Sequence, residues 1–556
     1  MKYHKILGPP AQVFFACLLV FCVIQSKGQT ISPYLYGQNA WMPSFIYNGH
    51  FERVIDNLRN AGNRPFKIIR IGGTTFDDNP PTWAQYENLI HKIRSIGAEP
   101  LVQVSIASNS TYAANFVHWL NNTWRLNVKY FSIGNEPDLG WVNERVDGNT
   151  ITWGNDIASY FKSRASAMKA VDPTIKIFGP DFSFFVDNVD NPNWDAMARW
   201  QYPLLNNNDH GLWGQDANGN YYIDYYAFHV YQYVTPSNVE RKLDTVLDKI
   251  SAINSNYRDA ANPLGWAITE TNITTNNDNV GTHDKTWSFY TGQHIAQLLG
   301  LGMKYKAFTV APWSIHESNG ARTALDLGFF DSSPSYSPRS AYYHLQMLSA
   351  KAKKNYAWGY TNNAKVKQVA TWDETGYAVM VMNDNTTGGN YTLRLNYDTQ
   401  FNTYLVYIDV GLAKQYQSYL GPNETQMVFF DTHGNYIGKI TYNKTNADNR
   451  QPPSYMGSTP DRTNSRVANG AKALVSTTGP ELEVRYSTTG LNIINKAVKT
   501  GLEVRIMDLS GRLLYNTSVD SPQGTTTIPY AFERHKIYLC KTIFKDHVVQ
   551  DKLVFE

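Results

Sequence analysis

Two glutamates each close an apolar run in this 556-residue chain. Residues 130–137 read YFSIGNEP and residues 266–272 read WAITETN, so Glu136 and Glu270 follow stretches that would bury their surroundings. Each has an amide neighbour, Asn135 or Asn272, able to hydrogen-bond a hydroxylated ligand. Two carboxylates facing one cleft are the arrangement needed to break a glycosidic bond. One must be protonated, to give its proton to the leaving oxygen, and the other ionised, to attack the anomeric carbon. Other apolar runs also end in polar or aromatic residues: Arg70 with Gly72 and Gly73 in KIIRIGG, His229 and Tyr231 in YIDYYAFHVY, and Trp313 in KAFTVAPWSI. Trp141 and Trp153 follow the first glutamate and could line neighbouring sites. Asp138 is too close in sequence to Glu136 to oppose it across a substrate.

Eight apolar runs have to position these residues: 34–39, 67–73, 100–106, 130–137, 175–182, 222–231, 266–272 and 306–315. Amphipathic stretches separate them, at 84–96 before Gly97, at 156–171, and at 284–301, where Gly302 reads as a stop. Near-continuous apolar strands alternating with helices predict a parallel sheet buried on both faces. Eight such units predict an α/β (β/α)8 TIM barrel over residues 29–350, whose active site lies at the C-terminal ends of the strands. An open doubly wound sheet is the alternative, but the chain has no glycine-rich phosphate turn.

FSIGNEPD, with a second glutamate ending the seventh strand, resembles the clan A retaining glycoside hydrolases. The resemblance covers residues 31–445, because several families of that clan add a β-sandwich after the barrel. It implies Glu136 as acid/base and Glu270 as nucleophile, with no cofactor. It also implies that Arg70 holds the nucleophile ionised and that Asn135 contacts the sugar 2-hydroxyl. His229 and Tyr231 would contact the nucleophile or the sugar, and Trp313 would stack a sugar ring, with Trp141 as a further substrate-binding candidate.

Composition points the same way. Charged residues are 17% of the chain, aromatic residues 14%, and the formal charge is +3. Without a long Lys/Arg run, nucleic acid is excluded as the main partner. A neutral, aromatic- and amide-rich surface suits a neutral polysaccharide or oligosaccharide, although the slight positive charge leaves acidic glycans open. Twelve of the 14 Trp lie at or before Trp313, so the barrel carries nearly all the large stacking surface. Asp216–Asn220 resembles the start of a calcium loop but lacks the downstream bidentate glutamate, and no histidines have zinc spacing. The site is therefore expected to hold no metal.

The ends of the chain read differently. Lys2 and Lys5 precede a 12-residue apolar run, Val13–Ile24, with Ser26 and Gly28 before Gln29, which is the pattern of a signal peptide over 1–28. Residues 351–445 alternate in short runs separated by Asn, Gly and Asp turns, predicting an antiparallel β-sandwich. Residues 446–474 read as a solvated linker, and 475–556 as a second all-β unit. With Asp508-Leu509-Ser510-Gly511-Arg512 as a turn between two strands and a last strand ending DKLVFE, this unit is similar to the type A sorting domain of the Bacteroidetes type IX secretion system. His535-Lys536 departs from that pattern, where the family usually has Gly. The resemblance implies a protein exported to the cell surface or medium, with the outer-membrane secretion machinery as a partner. Together these features predict a secreted retaining glycoside hydrolase, endo-acting on a neutral β-glycan. The alternatives are an exo-acting β-glucuronidase or β-xylosidase, and a non-catalytic carbohydrate-binding surface protein.

Overall fold

The computed structural model describes residues 29–40, 49–137, 155–183, 211–231, 236–273, 287–317, 326–331, 335–361, 363–395, 405–408 and 415–456, together with the strands of a C-terminal unit between 482 and 554. Residues 1–28, read as a signal peptide, lie outside the described residues, as do Trp141, Trp153 and Asp138. Met1–Thr463 forms one compact unit and Asn464–Glu556 a second.

Eight parallel strands form the barrel, in chain order around the sheet: β1 (Gly37–Asn39), β2 (Ile68–Ile71), β3 (Glu99–Val104), β4 (Tyr130–Ile133), β5 (Lys176–Phe182), β6 (Tyr225–Val230), β7 (Gly265–Thr271) and β8 (Val310–Pro312). A parallel bridge from Tyr36 to Val310 brings the ends together. All eight apolar runs of the sequence supply these strands. The helix Trp83–Ser95 starts at a capping box in which Thr82 and Gln85 satisfy each other's backbone N–H groups.

Side-chain alternation divides the barrel interior into two layers. Ile68, Leu101, Phe178, Ala227 and Ala267 form a lower apolar layer, with Tyr34, Tyr130, Tyr225 and Phe308 packed against it. Phe178 and Phe308 have ring centroids 5.2 Å apart, and Tyr225 and Phe308 4.4 Å. Two residues further along the same strands stand Arg70, Gln103 and Thr269, all buried. The barrel is thus plugged by aromatics below and polar above, where the strands end. Register shifts between Pro180 and Phe182, Phe228 and His229, and Ile268 and Thr271 fall in this upper layer. Such irregularities re-aim side chains next to active sites.

The sandwich packs a seven-stranded sheet against a four-stranded one. Gly376–Asn383 reads as almost unbroken apolar sequence because both of its faces are covered. Val379 and Val381 enter the core between the sheets, while Ala378, Met380 and Met382 join the barrel core. The barrel helix in this contact runs Phe289–Lys304, through Gly302 rather than stopping there. Its glycines serve close approach: a Cβ on Gly300 would lie 2.7 Å from Val369 of the sandwich, and one on Gly302 2.7 Å from Val310 of β8. A buried glycine inside a helix is therefore a packing signal here.

The polar stretch expected to begin a linker at 446 carries regular structure within 446–456, a correction to the predicted boundary. A short helix, Lys444–Asp448, leads to Ser454–Met456, which pairs with the edge strand Tyr436–Asn443. Arg450 reaches back to Asp331, Nε to Oδ2 at 2.7 Å. Backbone pairing and one ion pair overrode a composition that reads as solvated. In the C-terminal unit, Leu482–Ser487, Gly490–Asn495 and Gly524–Pro529 form one antiparallel sheet. Leu502–Met507, Leu513–Val519, Ile537–Phe544 and His547–Val554 form another. The turn Asp508–Arg512 lies outside the described residues.

The fold predicts where the chain can be shortened. A chain ending at Thr463 should melt with the same barrel–sandwich transition as one ending at Glu556. A chain ending at Ala447 loses the edge strand and Arg450, and its Tm should fall, by about 1 °C for each kcal/mol removed from a unit of this size. Calorimetry of the three chains distinguishes these outcomes.

Candidate active site

Arg70, near the end of β2, is the hub of the polar layer. Its guanidinium is fully buried and makes five hydrogen bonds. Nη1 donates to Glu270 Oε1 at 2.6 Å and to Asn39 Oδ1 at 3.3 Å. Nη2 donates to Gln103 Oε1 at 3.0 Å, Asn135 Oδ1 at 2.8 Å and Asp181 Oδ2 at 3.1 Å. Strands β1, β3, β4, β5 and β7, or the residues just past them, thus converge on one cation. Burial alone would pull the Arg70 pKa down, but Asp181 and Glu270 outweigh it and hold the guanidinium above its ordinary value. Asp181 in turn accepts from Thr269 Oγ1 at 2.6 Å. Beneath Asn135, Asp77 accepts from Asn135 N, Gln103 Nε2 and Ile106 N.

Glu136 and Glu270 come together above this hub. His229 Nδ1 stands between them, 2.8 Å from Glu136 Oε1 and 3.6 Å from Glu270 Oε2. One oxygen of each carboxylate and this nitrogen all lie within 4.8 Å of one another. Tyr231 donates its O–H to Glu270 Oε2 at 2.8 Å, so the two oxygens of Glu270 are held by different partners. Glu136 has φ 48°, in the left-handed region that few residues with a side chain adopt. Its backbone N–H donates to Asp181 O at 2.9 Å, which fixes that turn after β4. The same three side chains are the one group with metal-ligand spacing among the described residues. Arg70 already supplies the counter-charge to Glu270, and chemistry by two carboxylates requires no ion.

Trp313 closes the site at the end of β8. It clusters with Tyr231 and Leu327. A Cβ on Gly73 would come within 2.6 Å of the Trp313 ring, so glycine is required after β2 for the indole to lie there. All of Arg70, Asn135, His229, Tyr231, Glu136, Glu270 and Trp313 therefore meet in one place, while Trp141 lies outside the described residues. Asp216 is elsewhere and is the acceptor of its own turn, from Asn218 N and Asn220 N at 2.9 Å each.

The two carboxylates differ in their surroundings. Burial pushes Glu136 up to about 7; the charge of Arg70 opposes this and that of Asp181 adds to it. Glu270 is also raised, by burial first, against the pull of His229, Arg70 and the Tyr231 hydroxyl, while charge on Glu136 pushes it further up. A proton on Glu136 removes that last push, which leaves His229, Arg70 and the Tyr231 hydroxyl opposing burial at Glu270.

The model of glycoside hydrolase family 44 matches residues 86–248, a span that includes Glu136 and strands β3 to β6. The chain is a glycoside hydrolase. No curated protein matches it in sequence. Among solved structures, a family 44 xyloglucanase from Paenibacillus polymyxa is 14% identical, covering 71% of this chain and 95% of its own, with a TM-score of 0.47. A family 51 α-L-arabinofuranosidase from Bifidobacterium longum is 13% identical, covering 77% and 92%, with a TM-score of 0.47. A bifunctional glucanase–xylanase from a metagenome library is 10% identical, covering 95% and 97%, also with a TM-score of 0.47.

Several site residues of this glycosidase escaped the sequence reading: Asn39, Asp77, Gln103, Asp181 and Glu317. Four of them carried a usable signal. Asn39, Gln103 and Asp181 are polar residues inside or ending apolar barrel strands, and Glu317 lies four residues beyond Trp313. Asp77 had none, since it sits in a short helix after β2 and reaches the site only through the fold.

The raised Glu136 carboxyl makes a stability prediction independent of activity. Its folded value lies above its ordinary one, so its contribution is fully present below about 4.5 and is lost as pH rises through about 7. Ionising it in the folded state costs on the order of 1–3 kcal/mol. Glu136→Gln should therefore melt above the wild type at pH 8 and together with it near pH 4.5. Thermal melts across this range would contradict the burial argument if the two curves stay parallel.

Proposed function

We propose that this glycoside hydrolase is a retaining enzyme that cleaves a neutral β-glycan internally by double displacement. The observation that carries the reading is the closeness of Glu136 and Glu270, with an oxygen of each within 4.8 Å. Retaining enzymes keep their carboxyl groups about 5–5.5 Å apart, whereas inverting enzymes leave about 6.5–9.5 Å for a water. Glu270, ionised beside Arg70, attacks the anomeric carbon as Glu136 passes its proton to the leaving oxygen. The glycosyl–enzyme ester then meets a water, whose proton goes to Glu136 while its oxygen takes the anomeric carbon from Glu270. Tyr231 and Arg70 stay on the Glu270 oxygens throughout and hold the nucleophile in line. Asn135 spends its Oδ1 on Arg70 and donates from Nδ2 to Thr74 Oγ1 at 3.1 Å. The second N–H of that amide is the one suited to a sugar hydroxyl.

The low charge and the aromatic content of the barrel support a neutral chain as substrate. The signal-type segment 1–28 and the Asp508–Arg512 turn signature support export through a type IX system, with the outer-membrane machinery recognising the C-terminal unit. Deleting residues 464–556 in a host with that system should leave the enzyme inside the outer membrane.

Replacing each glutamate tests the mechanism. On a panel of β-glucan, xyloglucan, xylan and glucuronoxylan, the wild type should release shortened chains from a neutral member. Glu136→Ala should slow natural substrates at least about 100-fold, the usual scale of general acid catalysis, and activated aryl glycosides far less. Azide should rescue it with a product of retained configuration. Glu270→Ala should lose both substrates, with azide giving the inverted product. For the wild type, kcat/KM should fall as pH rises through about 7, where the acid loses its proton. Exchanged behaviours of the two variants would reverse the roles, and an anomerically inverted wild-type product would end the retaining reading.

A further inference from the structure

Glu317, four residues beyond Trp313, has no part in the double displacement, yet its carboxylate is largely buried against the site. Its two oxygens serve two different donors. Oε1 accepts from Trp313 Nε1 at 3.3 Å, and Oε2 from the Leu327 backbone N–H at 2.6 Å. Leu327 O accepts from Ser314 N at 3.4 Å and from Asn272 Nδ2 at 3.2 Å, and Phe329 N donates to Ser314 O at 2.9 Å. Residues 327–329 therefore run beside 313–315 as a strap, and Glu317 bridges the strap to the indole. The outer end of the strap is held by Arg339, whose Nη1 and Nη2 each donate to an Asp326 oxygen at 2.9 Å and whose Nη1 also reaches Gly328 O at 2.8 Å. The Trp313 ring is thus confined by Gly73 on one side, by Leu327 and Tyr231 on another, and by Glu317 at its N–H.

We propose that Glu317 is a positioning residue, which fixes the Trp313 indole as the platform for the sugar undergoing cleavage. A neutral acceptor could hold the indole alone. A carboxylate is required because two donors from different segments converge on it, and leaving either one buried without an acceptor is costly. Burial lifts its pKa to about 7, opposed by the Leu327 and Trp313 bonds; Asp326 adds to the rise and Arg339 opposes it. The role of Trp313 as a sugar platform rests on the glycosidase reading above, whereas the hold of Glu317 on the indole does not.

Glu317→Gln tests this with minimal change of shape. An amide offers one acceptor oxygen, so its N–H2 group must face one of the two donors whichever way it is turned. On the glycan identified by the panel, KM should rise about tenfold and kcat should change less, as expected for a displaced binding surface. In a Trp313→Phe background, which has no indole N–H, the same substitution should add less than a twofold effect. A coupling of this kind marks two residues acting as a unit. Acrylamide quenching of the Trp313 fluorescence, taken as the difference between each protein and its Trp313→Phe counterpart, should increase at least about twofold in Glu317→Gln. Additive effects in the two backgrounds, or unchanged quenching with unchanged KM, would overturn the proposal. If the wild type cleaves no glycan, the glycosidase reading falls, and quenching alone decides whether Glu317 holds the indole.

Discussion

A guanidinium with no access to water sits where five strands of the barrel end, and the upper layer of the site is organised around it. An unpaired cation there would cost several kcal/mol, and each anion around it would cost as much if the cation were absent. Arg70, Asp181 and Glu270 are therefore mutually dependent, and Asn39, Gln103 and Asn135 accept further hydrogen bonds from Nη1 and Nη2 of the guanidinium. Because a planar fork bonds only at fixed angles, it also fixes where β1, β3, β4, β5 and β7 end relative to β2. Glu270 inherits its position from that constraint.

Glu136 is placed by other means. Glu136 is not bonded to Arg70; it is set by its left-handed backbone, by its N–H on Asp181 O and by His229. The two carboxylates therefore differ in their contacts. Glu270, buried, touches a cation and a phenol and lies 3.6 Å from the His229 nitrogen, whereas Glu136, its side chain 15% exposed, bonds that nitrogen at 2.8 Å. With one proton shared between two such groups, it rests on the carboxylate that has fewer charged partners.

Support for the site extends well beyond the strand ends. The helices that follow β7 and β8 pack on a sheet whose two faces are both covered, and buried polar groups bridge this contact, including His344 Nε2 with Thr425 Oγ1 at 2.8 Å. The strap at 327–329 is fastened by Arg339 to Asp326 and Asp331, and Arg450 at the end of the sandwich bonds the same Asp331. A path of hydrogen bonds and ion pairs thus leads from the segment after the edge strand Tyr436–Asn443 to the loop behind Trp313.

By itself the sequence determined the strands, and with them the ends at which chemistry could be placed. Eight apolar runs separated by amphipathic stretches leave few alternatives to a barrel, and a charged residue at the end of such a run has nowhere to point but the rim. Glu136, Glu270, Arg70 and His229 were legible for that reason. The polar composition of 446–456 concealed an ordered edge strand, and Gly302 looked like a helix stop, because neither local signal registers what packs against it. Asp77 was out of reach for the same reason, since it acts on a residue 58 positions away, across loops of unknown course. Only the tertiary structure decided which polar residues meet and how one cation is divided among several strands. Those are properties of distance and burial, and a linear pattern records neither.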